Sequence, residues 1–300
     1  MSEKIKTALS IVLILLILPY IITYAWQGSA YFEKSVKYDE GKNDASIHAE
    51  ERIEPTEILI GILAGQIGMD APEEVLRAQA VLVRTEYYRR EENEEEQEQS
   101  LTMDELLNLW GSHELQKNYE LAKKAVCDTA GEVLTAQDAL IMGIYHKVSA
   151  GATRAAQQVN GTEASYLQSV TCPSDILSKD YLSVRFFSKD EFRENLGLRS
   201  TEEDIIFSID ADETGYVQSM NIKDVETDIS YSGDEIRARF ELPSPCFYIK
   251  EVEGQMRIVN KGKGHGYGMS QHAACILAKE GKTYQEILEY FFPDTQLKKI

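Results

Sequence analysis

The sequence predicts an α+β fold, with one mixed domain behind an N-terminal transmembrane helix. Three observations support this prediction. An uncharged apolar run lies close to the N-terminus. Helical and strand-like hydrophobic patterns follow it in irregular order, without the alternation of a βαβ series. The chain has 300 residues, 43% of them hydrophobic, which is enough to bury a sizeable core.

The apolar run, Thr7–Trp26, contains no charged residue and is long enough to span a bilayer. Lys4 and Lys6 precede it, and by the positive-inside rule they keep the N-terminus in the cytoplasm. We therefore predict a single-pass anchor over residues 1–28 in the cell membrane and an extracytoplasmic C-terminal domain. A cleaved signal peptide is the alternative, but the run exceeds the usual apolar region of ~7–15 residues.

The net charge of −19 limits the partners of this domain. Nucleic-acid binding needs a basic face, so we expect no nucleic acid. Anionic cell-wall polymers would be repelled at long range, so glycan binding would depend on local contacts. Residues 29–50 are polar and mixed in charge and are predicted to be a juxtamembrane linker. Residues 51–300 are predicted to form the domain, with a solvated acidic loop or frayed helix end inserted at about 91–100, EENEEEQEQS.

The helix signals are clearest after residue 70. Asp70-Ala-Pro-Glu is typical of a helix start, with Asp70 as the N-cap and Pro72 in the first turn. An apolar stripe at helical spacing follows: Leu76, Ala80, Val83 and Tyr87. Arg77 and Arg84 are seven residues apart, so they project from the same side of this helix.

Further helices are predicted around residues 101–109 and 119–129, followed by a β-hairpin that turns at Ala136-Gln137-Asp138. The last predicted elements are a helix at 188–202, short strands within 205–250, and two helices at 272–281 and 283–292. The cysteines have no CxxC spacing, and unpaired thiols are favoured over a disulfide framework: Cys127, Cys172, Cys246 and Cys275.

The stretch KGKGHGYGMSQHA, residues 261–273, combines four glycines, two histidines and a serine. Its alternating glycines do not fit the G-x-G-x-x-G dinucleotide motif, and it lacks the Gly-Lys-Ser/Thr ending of a P-loop. Zinc binding through His265 and His272 lacks the H-E-x-x-H geometry. Two interpretations remain. The glycines let the backbone approach a ligand, with His265, Ser270 and Gln271 as hydrogen-bonding groups, or the stretch is a structural turn before a helix.

Three ordered segments carry a family resemblance. The first is ILIGILAGQIGMDAPEEVLRAQAVLVRTEYY at residues 58–88, and the second is IYHKVSAGATRAA at 144–156 followed by YLQSV at 166–170. The third is GKGHGYGMSQHAACILAKEGKTYQEILEYFFPDTQL at residues 262–297. Each resembles a signature of the stage II sporulation protein D family and of its amidase-enhancer relatives, so the resemblance covers most of the predicted domain.

The resemblance implies binding of peptidoglycan glycan strands and, in active members, lytic transglycosylase chemistry. In that reaction one carboxylic acid protonates the glycosidic oxygen, and its carboxylate then takes the proton of the sugar's 6-hydroxyl as an anhydro ring closes. The family has a glutamate for this purpose eight residues before the position of Glu74. This chain has Gln66 there, an amide that can bind a sugar but cannot carry a proton at neutral pH. The resemblance therefore implies glycan binding with weakened or lost transglycosylase activity.

Two alternatives remain open. The catalytic acid could have moved to Asp70 or Glu73, although the N-cap prediction already gives Asp70 another task. The protein could also be a scaffold without glycan affinity, because its net charge opposes binding to the wall.

By position in the motifs, the resemblance also implies a set of substrate-binding residues. These are Arg77, Arg84, His146, Ser149, Gly151, Thr153, His265, Gly266, Gly268, Ser270 and Gln271. Arg77 and Arg84 are expected on the floor of the glycan groove, where guanidinium groups would hold acetamido or carboxylate groups. We expect no metal and no cofactor, since Cys127 and Cys172 are too distant in sequence from His146 to indicate a ligand set.

The implied setting is septal wall remodelling during engulfment in sporulation. The protein would lie in the mother-cell membrane and face the septal space. A stage II sporulation protein P-type amidase is expected as a partner by family analogy alone.

Overall fold

The computed structural model describes residues 54–159, 161–198, 205–223 and 228–300. The α+β class is confirmed over these residues, which contain helices and mainly antiparallel sheets. The predicted anchor at residues 1–28 and the predicted linker at 29–50 lie outside the described residues. Within the described ranges, no helix is long and apolar enough to cross a membrane.

The described helices are α1 (Thr56–Gln66), α2 (Glu73–Glu92), α3 (Met103–Asp128), α4 (Lys189–Leu196), α5 (Gly233–Arg239), α6 (Gln271–Lys279) and α7 (Tyr284–Phe291). The strands are β1 (Glu132–Ala136), β2 (Ala139–Leu140), β3 (Tyr145–His146), β4 (Ala156–Val159), β5 (Thr162–Leu167), β6 (Leu182–Ser188), β7 (Ile206–Ala211), β8 (Val217–Lys223), β9 (Asp228–Ser232), β10 (Phe247–Val252), β11 (Gln255–Lys261), β12 (Met269–Ser270) and β13 (Gln296–Lys299). They form small sheets in the orders β13-β1-β2, β10-β11-β6, β7-β8-β9, β4-β5 and β12-β3, and only the last pair is parallel.

The central element is α2, because two of its faces are buried. The predicted apolar stripe is confirmed, with Leu76, Ala80 and Val83 packed against α1 and α3 in one core cluster. Val75 and Leu82 on another face pack with β1, α6 and α7 in a second cluster. Burial on two sides fixes the position of α2, and with it the position of every polar side chain that it carries.

The start of α2 differs from the prediction. The N-cap is Pro72, with no side-chain capping bond, and the helix begins at Glu73. Proline has no main-chain N–H to leave unsatisfied at a helix start, and its φ of −54° suits that position. Asp70 therefore lies outside the helix and is not its N-cap.

The acidic segment at 91–100 begins as a helix end, one of the two predicted forms, since α2 continues to Glu92. Residues 91–96 are exposed, as a solvated segment would be, but the end of the segment packs along α1. The Ser100 hydroxyl donates to the main-chain carbonyl of Ile58 at 3.0 Å. A Cβ placed on Gly61 would lie 2.2 Å from Ser100 Oγ. The absence of a side chain at Gly61 thus lets the segment lie directly on α1.

The range α3 contains two helical segments, in agreement with the two helices predicted at 101–109 and 119–129. It begins with a capping box between Thr102 and Glu105. Gly111 separates the two segments with a non-helical φ of 72° and ψ of 160°. The break therefore comes soon after the end predicted for the first helix, and the second segment is longer than predicted.

The second half of the described chain confirms most of the predicted elements. The hairpin β1–β2 turns at Gln137 and Asp138, both with positive φ, as a two-residue turn requires. A third core cluster lies between the sheets β10-β11-β6 and β7-β8-β9 and the helices α4 and α5. The seven residues of α5 were not predicted, since a helix of two turns has too short a pattern to recognise. The preference for unpaired thiols is confirmed, because all four cysteines are free.

Candidate functional site

A cleft of about 990 Å³ lies where three parts of the chain meet. The first part is the end of α2 with the acidic segment, the second is β3 with the glycine-rich loop before α6, and the third is α5 with the turn after it. The lining side chains include Glu98, Tyr145, His146, Asp234, Arg237 and His265. The volume is at the upper end of ordinary ligand sites, which hold about 300–1,000 Å³. A ligand in this cleft would contact all three parts.

The glycine-rich loop runs tightly along β3. A Cβ on Gly264 would lie 2.6 Å from Cβ of His146, and a Cβ on Gly268 would lie 2.1 Å from the carbonyl oxygen of Ile144. Both glycines have positive φ, +112° and +67°. The close approach that the glycines permit is therefore to the protein's own main chain, which brings the loop into the wall of the cleft.

Gly266 is held by a group of aromatic and charged side chains. Its carbonyl oxygen accepts a hydrogen bond from the main-chain N–H of Arg154 at 2.8 Å. The Arg154 guanidinium lies 4.3 Å from the ring centroid of Tyr267 and 5.4 Å from that of Tyr216. It also pairs with Asp234 at 3.0 Å. Gly266 thus has a positioning role in the loop and is buried.

His146 and His265 both line the cleft, and both are neutral. His146 Nδ1 donates to the main-chain carbonyl of Tyr267 at 2.9 Å, which leaves Nε2 as an acceptor. Burial lowers the pKa of His146 to about 3 and that of His265 to about 4. His146 Nε2 is buried and has no hydrogen-bond partner among the described residues. His146 therefore has a ring nitrogen that can still accept a hydrogen bond, and its partner must be a donor such as a hydroxyl or an amide N–H.

The resemblance implies that Ser149 and Ser270 contact substrate, but neither residue lines the cleft. Both are fully buried, and they meet at the carboxylate of Asp175. Asp175 accepts from the Ser149 N–H at 2.7 Å and from the Ser270 hydroxyl at 2.7 Å. His272 Nδ1 lies 3.0 Å from the same carboxylate. Asp175 therefore joins β3, the 3₁₀ turn at Pro173–Leu177 and the start of α6.

Thr153 and Gly151 also serve the fold. Thr153 Oγ1 donates to the carbonyl of Gln168 at 3.1 Å and accepts from the N–H of Val170 at 2.8 Å. Gly151 accepts at its carbonyl from the N–H of Cys172 at 2.8 Å. Neither residue lines the cleft, and their hydrogen bonds connect the chain after β3 to residues 168–172.

Gln66, at the end of α1, stands in a chain of side-chain amides. Gln271 Nε2 donates to the main-chain carbonyl of Gln66 at 3.0 Å and to Oε1 of Gln79 at 3.2 Å. Gln79 Nε2 donates to Oε1 of Gln66 at 2.8 Å, and Gln66 Nε2 donates to Oε2 of Glu98 at 2.5 Å. A main-chain carbonyl can only accept, so the first bond orients every later amide. Gln66 thus presents its NH₂ group to Glu98.

The Gln66–Glu98 bond lies between two cavities. Glu98 lines the cleft described above, and Gln66 lines a second cavity of about 510 Å³ together with Asp70 and Trp110. The two predicted parts of the site, the position of Gln66 and the glycine-rich loop, are therefore brought together through Gln271.

Arg77 does not lie on the floor of the cleft. Its guanidinium pairs with Glu73 at 3.0 Å, with Glu74 at 2.5 Å and with Asp128 at 2.9 Å. These carboxylates belong to α2 and to the end of α3. Arg77 therefore links two helices, and its charge is already matched by three carboxylates.

Arg84 is even further from its expected role, because its side chain is fully buried. It donates to Glu54 at 2.5 Å, to Thr129 Oγ1 at 3.1 Å and to the carbonyl of Val126 at 2.7 Å. Four residues would lose a polar partner without it, since it also donates to the carbonyl of Glu132 at 3.3 Å. Spacing alone placed both arginines on one side of α2, but that side faces α3.

The two carboxylates proposed as replacements for the catalytic acid occupy different places. Glu73 is exposed, and its hydrogen bond from Lys124 at 2.6 Å is the main reason why its pKa lies below the usual range. Asp70 lies at the 510 Å³ cavity with Gln66. Glu98, which accepts a hydrogen bond from Gln66 itself, was not predicted, because a block of like charges carries no sign of which residue turns inward. Gln79 and Asp175 were not predicted either, and the position of Gln79 within the first motif is the one signal that could have indicated it.

Comparison with known proteins identifies the family of this chain. The model of a family described as stage II sporulation protein matches residues 43–135. Stage II sporulation protein D of Bacillus amyloliquefaciens is 30% identical over 261 residues, which cover 82% of this chain and 75% of that protein. Its counterpart in Bacillus subtilis (strain 168) is 29% identical over 265 residues, with the same shares of both chains. The amidase enhancer of Bacillus subtilis is 34% identical over 82 residues, 26% of this chain and 12% of that protein. The chain belongs to the stage II sporulation protein D family.

Proposed function

We propose that this protein binds peptidoglycan glycan strands and acts in septal wall remodelling during engulfment. The observation that supports this most directly is the cleft, where the buried Nε2 of His146 has no hydrogen-bond partner among the described residues and could accept from a sugar hydroxyl or an acetamido N–H. The Gln66–Glu98 hydrogen bond connects the linings of two cavities, and two neighbouring cavities suit a polymer better than a small ligand.

Gln66 itself transfers no proton in this proposal. Its amide oxygen accepts from Gln79 and its NH₂ group donates to Glu98, so both ends are engaged in hydrogen bonds. General acid–base catalysis contributes typically ~10²–10⁴-fold, and an amide contributes none of it. We therefore expect no transglycosylase activity that depends on proton transfer by Gln66.

The proposed location is the outer face of the cell membrane, specifically the mother-cell membrane facing the septal space. The uncharged run Thr7–Trp26 supports a single-pass anchor. An amidase of the stage II sporulation protein P type is the proposed partner, and the shared segment with a protein named amidase enhancer supports a functional link to amidases.

The test uses the full-length protein in detergent micelles and glycan strands prepared with and without stem peptides. We expect the strands to retain the protein, and we expect His146→Phe to weaken retention because it removes the Nε2 acceptor. Retention should persist at moderate salt, since local hydrogen bonds rather than long-range charge carry it. Absence of retention under all salt conditions would favour the scaffold without glycan affinity.

A further inference from the structure

Glu98 differs from the other carboxylates of the cleft in its hydrogen-bond partner. Glu86 is buried and receives hydrogen bonds from Arg89 at 2.8 Å and from Arg90 at 2.7 Å. Both carboxylate oxygens of Glu95 accept hydrogen bonds from Arg89, at 2.9 and 2.6 Å. Glu98, by contrast, is bonded at 2.5 Å by a neutral amide, with the nearest guanidinium nitrogen, on Arg90, at 3.5 Å.

The remaining cleft carboxylate, Asp234, is also committed to an arginine, since Arg154 donates to it at 3.0 Å. The side chain of Glu98 is 33% exposed, so a ligand in the cleft can reach its carboxyl group. Glu98 is therefore the carboxyl group of this cleft that a ligand can reach and that accepts its hydrogen bond from a neutral group, the Gln66 amide.

The main chain around Glu98 is held on both sides. Gln97 Nε2 donates to the carbonyl of Tyr87 at 3.1 Å, and Arg90 donates to the carbonyl of Glu96 at 2.7 Å. On the other side, the Ser100 hydroxyl bonds α1. A reactive group on so well anchored a segment keeps its position without a ligand, as catalysis requires.

A second observation points to a ligand in the same cleft. His146 is 2% exposed, lines the cleft, and has a buried Nε2 atom without a partner among the described residues. A buried acceptor of this kind costs free energy unless a ligand or water fills it. The cleft therefore contains both an accessible carboxyl group and an acceptor for a hydroxyl or amide N–H.

We propose that Glu98 is the catalytic carboxyl group of this protein and that Gln66 is its positioning residue. This inference rests on the proposed glycan binding. Glu98 in its acid form donates its proton to the glycosidic oxygen as the bond between that oxygen and the anomeric carbon breaks. The resulting carboxylate takes the proton of the 6-hydroxyl on the same sugar, whose oxygen bonds the anomeric carbon. One new 4-hydroxyl and one 1,6-anhydro end form, the acid is restored, and no water is consumed.

The experiment compares Glu98→Gln with wild type and with Glu96→Gln in the full-length protein. Glu96 lies in the same segment and is exposed, so the control removes the same charge without touching the cleft. Strand retention and the release of anhydro ends are measured on the same glycan strands. We expect wild type and Glu96→Gln to release anhydro ends at equal rates, and Glu98→Gln to lose at least about 10²-fold in rate. Retention should be equal in all three.

Gln66→Ala provides a second readout. Its amide is expected to fix the rotamer of Glu98, so its loss should lower the rate and leave the requirement for Glu98 intact. A wild type that binds strands but releases no anhydro ends would overturn the inference while the proposed function stands. Release that persists unchanged in Glu98→Gln would overturn it equally. A wild type that binds no strands would instead overturn the proposed function.

Discussion

Gln271 reaches across the site to Gln66, 205 positions earlier in the chain, and donates to its main-chain carbonyl at 3.0 Å. This bond joins the glycine-rich loop to the end of α1. It also sets the direction of the amide chain through Gln79, so the NH₂ group of Gln66 faces Glu98. The first and third of the segments that carry the family resemblance thus form one hydrogen-bonded unit.

Gln66→Glu should raise the rate of anhydro-end release. Gln79 can donate to a carboxylate as it does to the amide, so the new side chain keeps its position. The new carboxyl group would lie next to Glu98, and two carboxyl groups at hydrogen-bonding distance cannot both ionise without strong repulsion. One of them would therefore hold a proton at higher pH, as a general acid must. The rate is measured on glycan strands beside wild type, and an unchanged rate would contradict the assignment of Gln66 to the site.

Gly268→Ala should destabilise the domain and abolish strand retention. The added Cβ would lie 2.1 Å from the Ile144 carbonyl oxygen at a φ of +67°, so β3 and the loop must separate. We expect a loss of more than about 3 kcal/mol in the free energy of unfolding. Gly254→Ala is the matched control, because Gly254 also has positive φ, +78°, but nothing lies within 4 Å of its Cβ. Urea unfolding should show a cost of only about 1 kcal/mol for the control.

Arg84→Met should act on stability and not on glycan affinity. It removes a buried cation and leaves Glu54, Thr129 and the carbonyl of Val126 without their donor. Breaking a buried charge pair in this way costs about 3–5 kcal/mol. Arg77→Met serves as the comparison, and since its carboxylate partners are partly exposed we expect about 1 kcal/mol. If either variant were fully stable but bound glycan strands more weakly, the predicted contact of that arginine with the glycan would be supported.

The stability of the domain should fall as the pH drops below about 6.5, in part because of His146 and His265. Burial lowers their pKa values from the ordinary 6.5 to about 3 and about 4, so only the unfolded chain binds protons in this interval. The stabilisation is complete above pH 6.5 and is lost as the pH falls, down to about 4 for His265 and about 3 for His146. The slope is about 1.4 kcal/mol per pH unit for each histidine.

His146→Asn tests this contribution. The free energy of unfolding is measured in urea from pH 7 to 5. Its slope against pH should be smaller than that of wild type by the contribution of one histidine. His113→Asn is the control, because the His113 side chain is 95% exposed and should leave the slope unchanged. Equal slopes for wild type and His146→Asn would mean that His146 is protonated in the folded protein.

The full-length protein should remain in the membrane fraction after an alkaline wash. Its intact mass should include residues 1–28, because the run Thr7–Trp26 is longer than a signal-peptide core. A soluble product that begins after about residue 28 would instead support cleavage. Expression in a bacterium with mass spectrometry of both fractions distinguishes the two outcomes.

Elements with a local signal were predictable. The stripe on α2, the hairpin turn at Gln137-Asp138 and the helices after residue 270 follow from periodicity and turn chemistry, which act over a few residues. The N-cap of α2 was mispredicted because Asp and Pro are both typical of a helix N-terminus. In the structure Pro72 is the N-cap, and Asp70 lies before it. The two helical segments within α3 were predicted, and Gly111 separates them with a non-helical φ of 72°.

Composition and motif order were enough for the α+β class and the family, while the assignment of Gln66 to the position of the family's glutamate stays a prediction. Packing alone decided which polar residues reach the cleft. Arg84, Ser149 and Ser270 stand in the right motifs but are buried, because their neighbours need hydrogen-bond partners in the core. Glu98 stands in a run of like charges but turns inward, because Gly61 lets its segment lie on α1 and the Gln66 amide offers it a donor. Contacts between residues distant in sequence depend on the whole packed chain, and no local pattern encodes them.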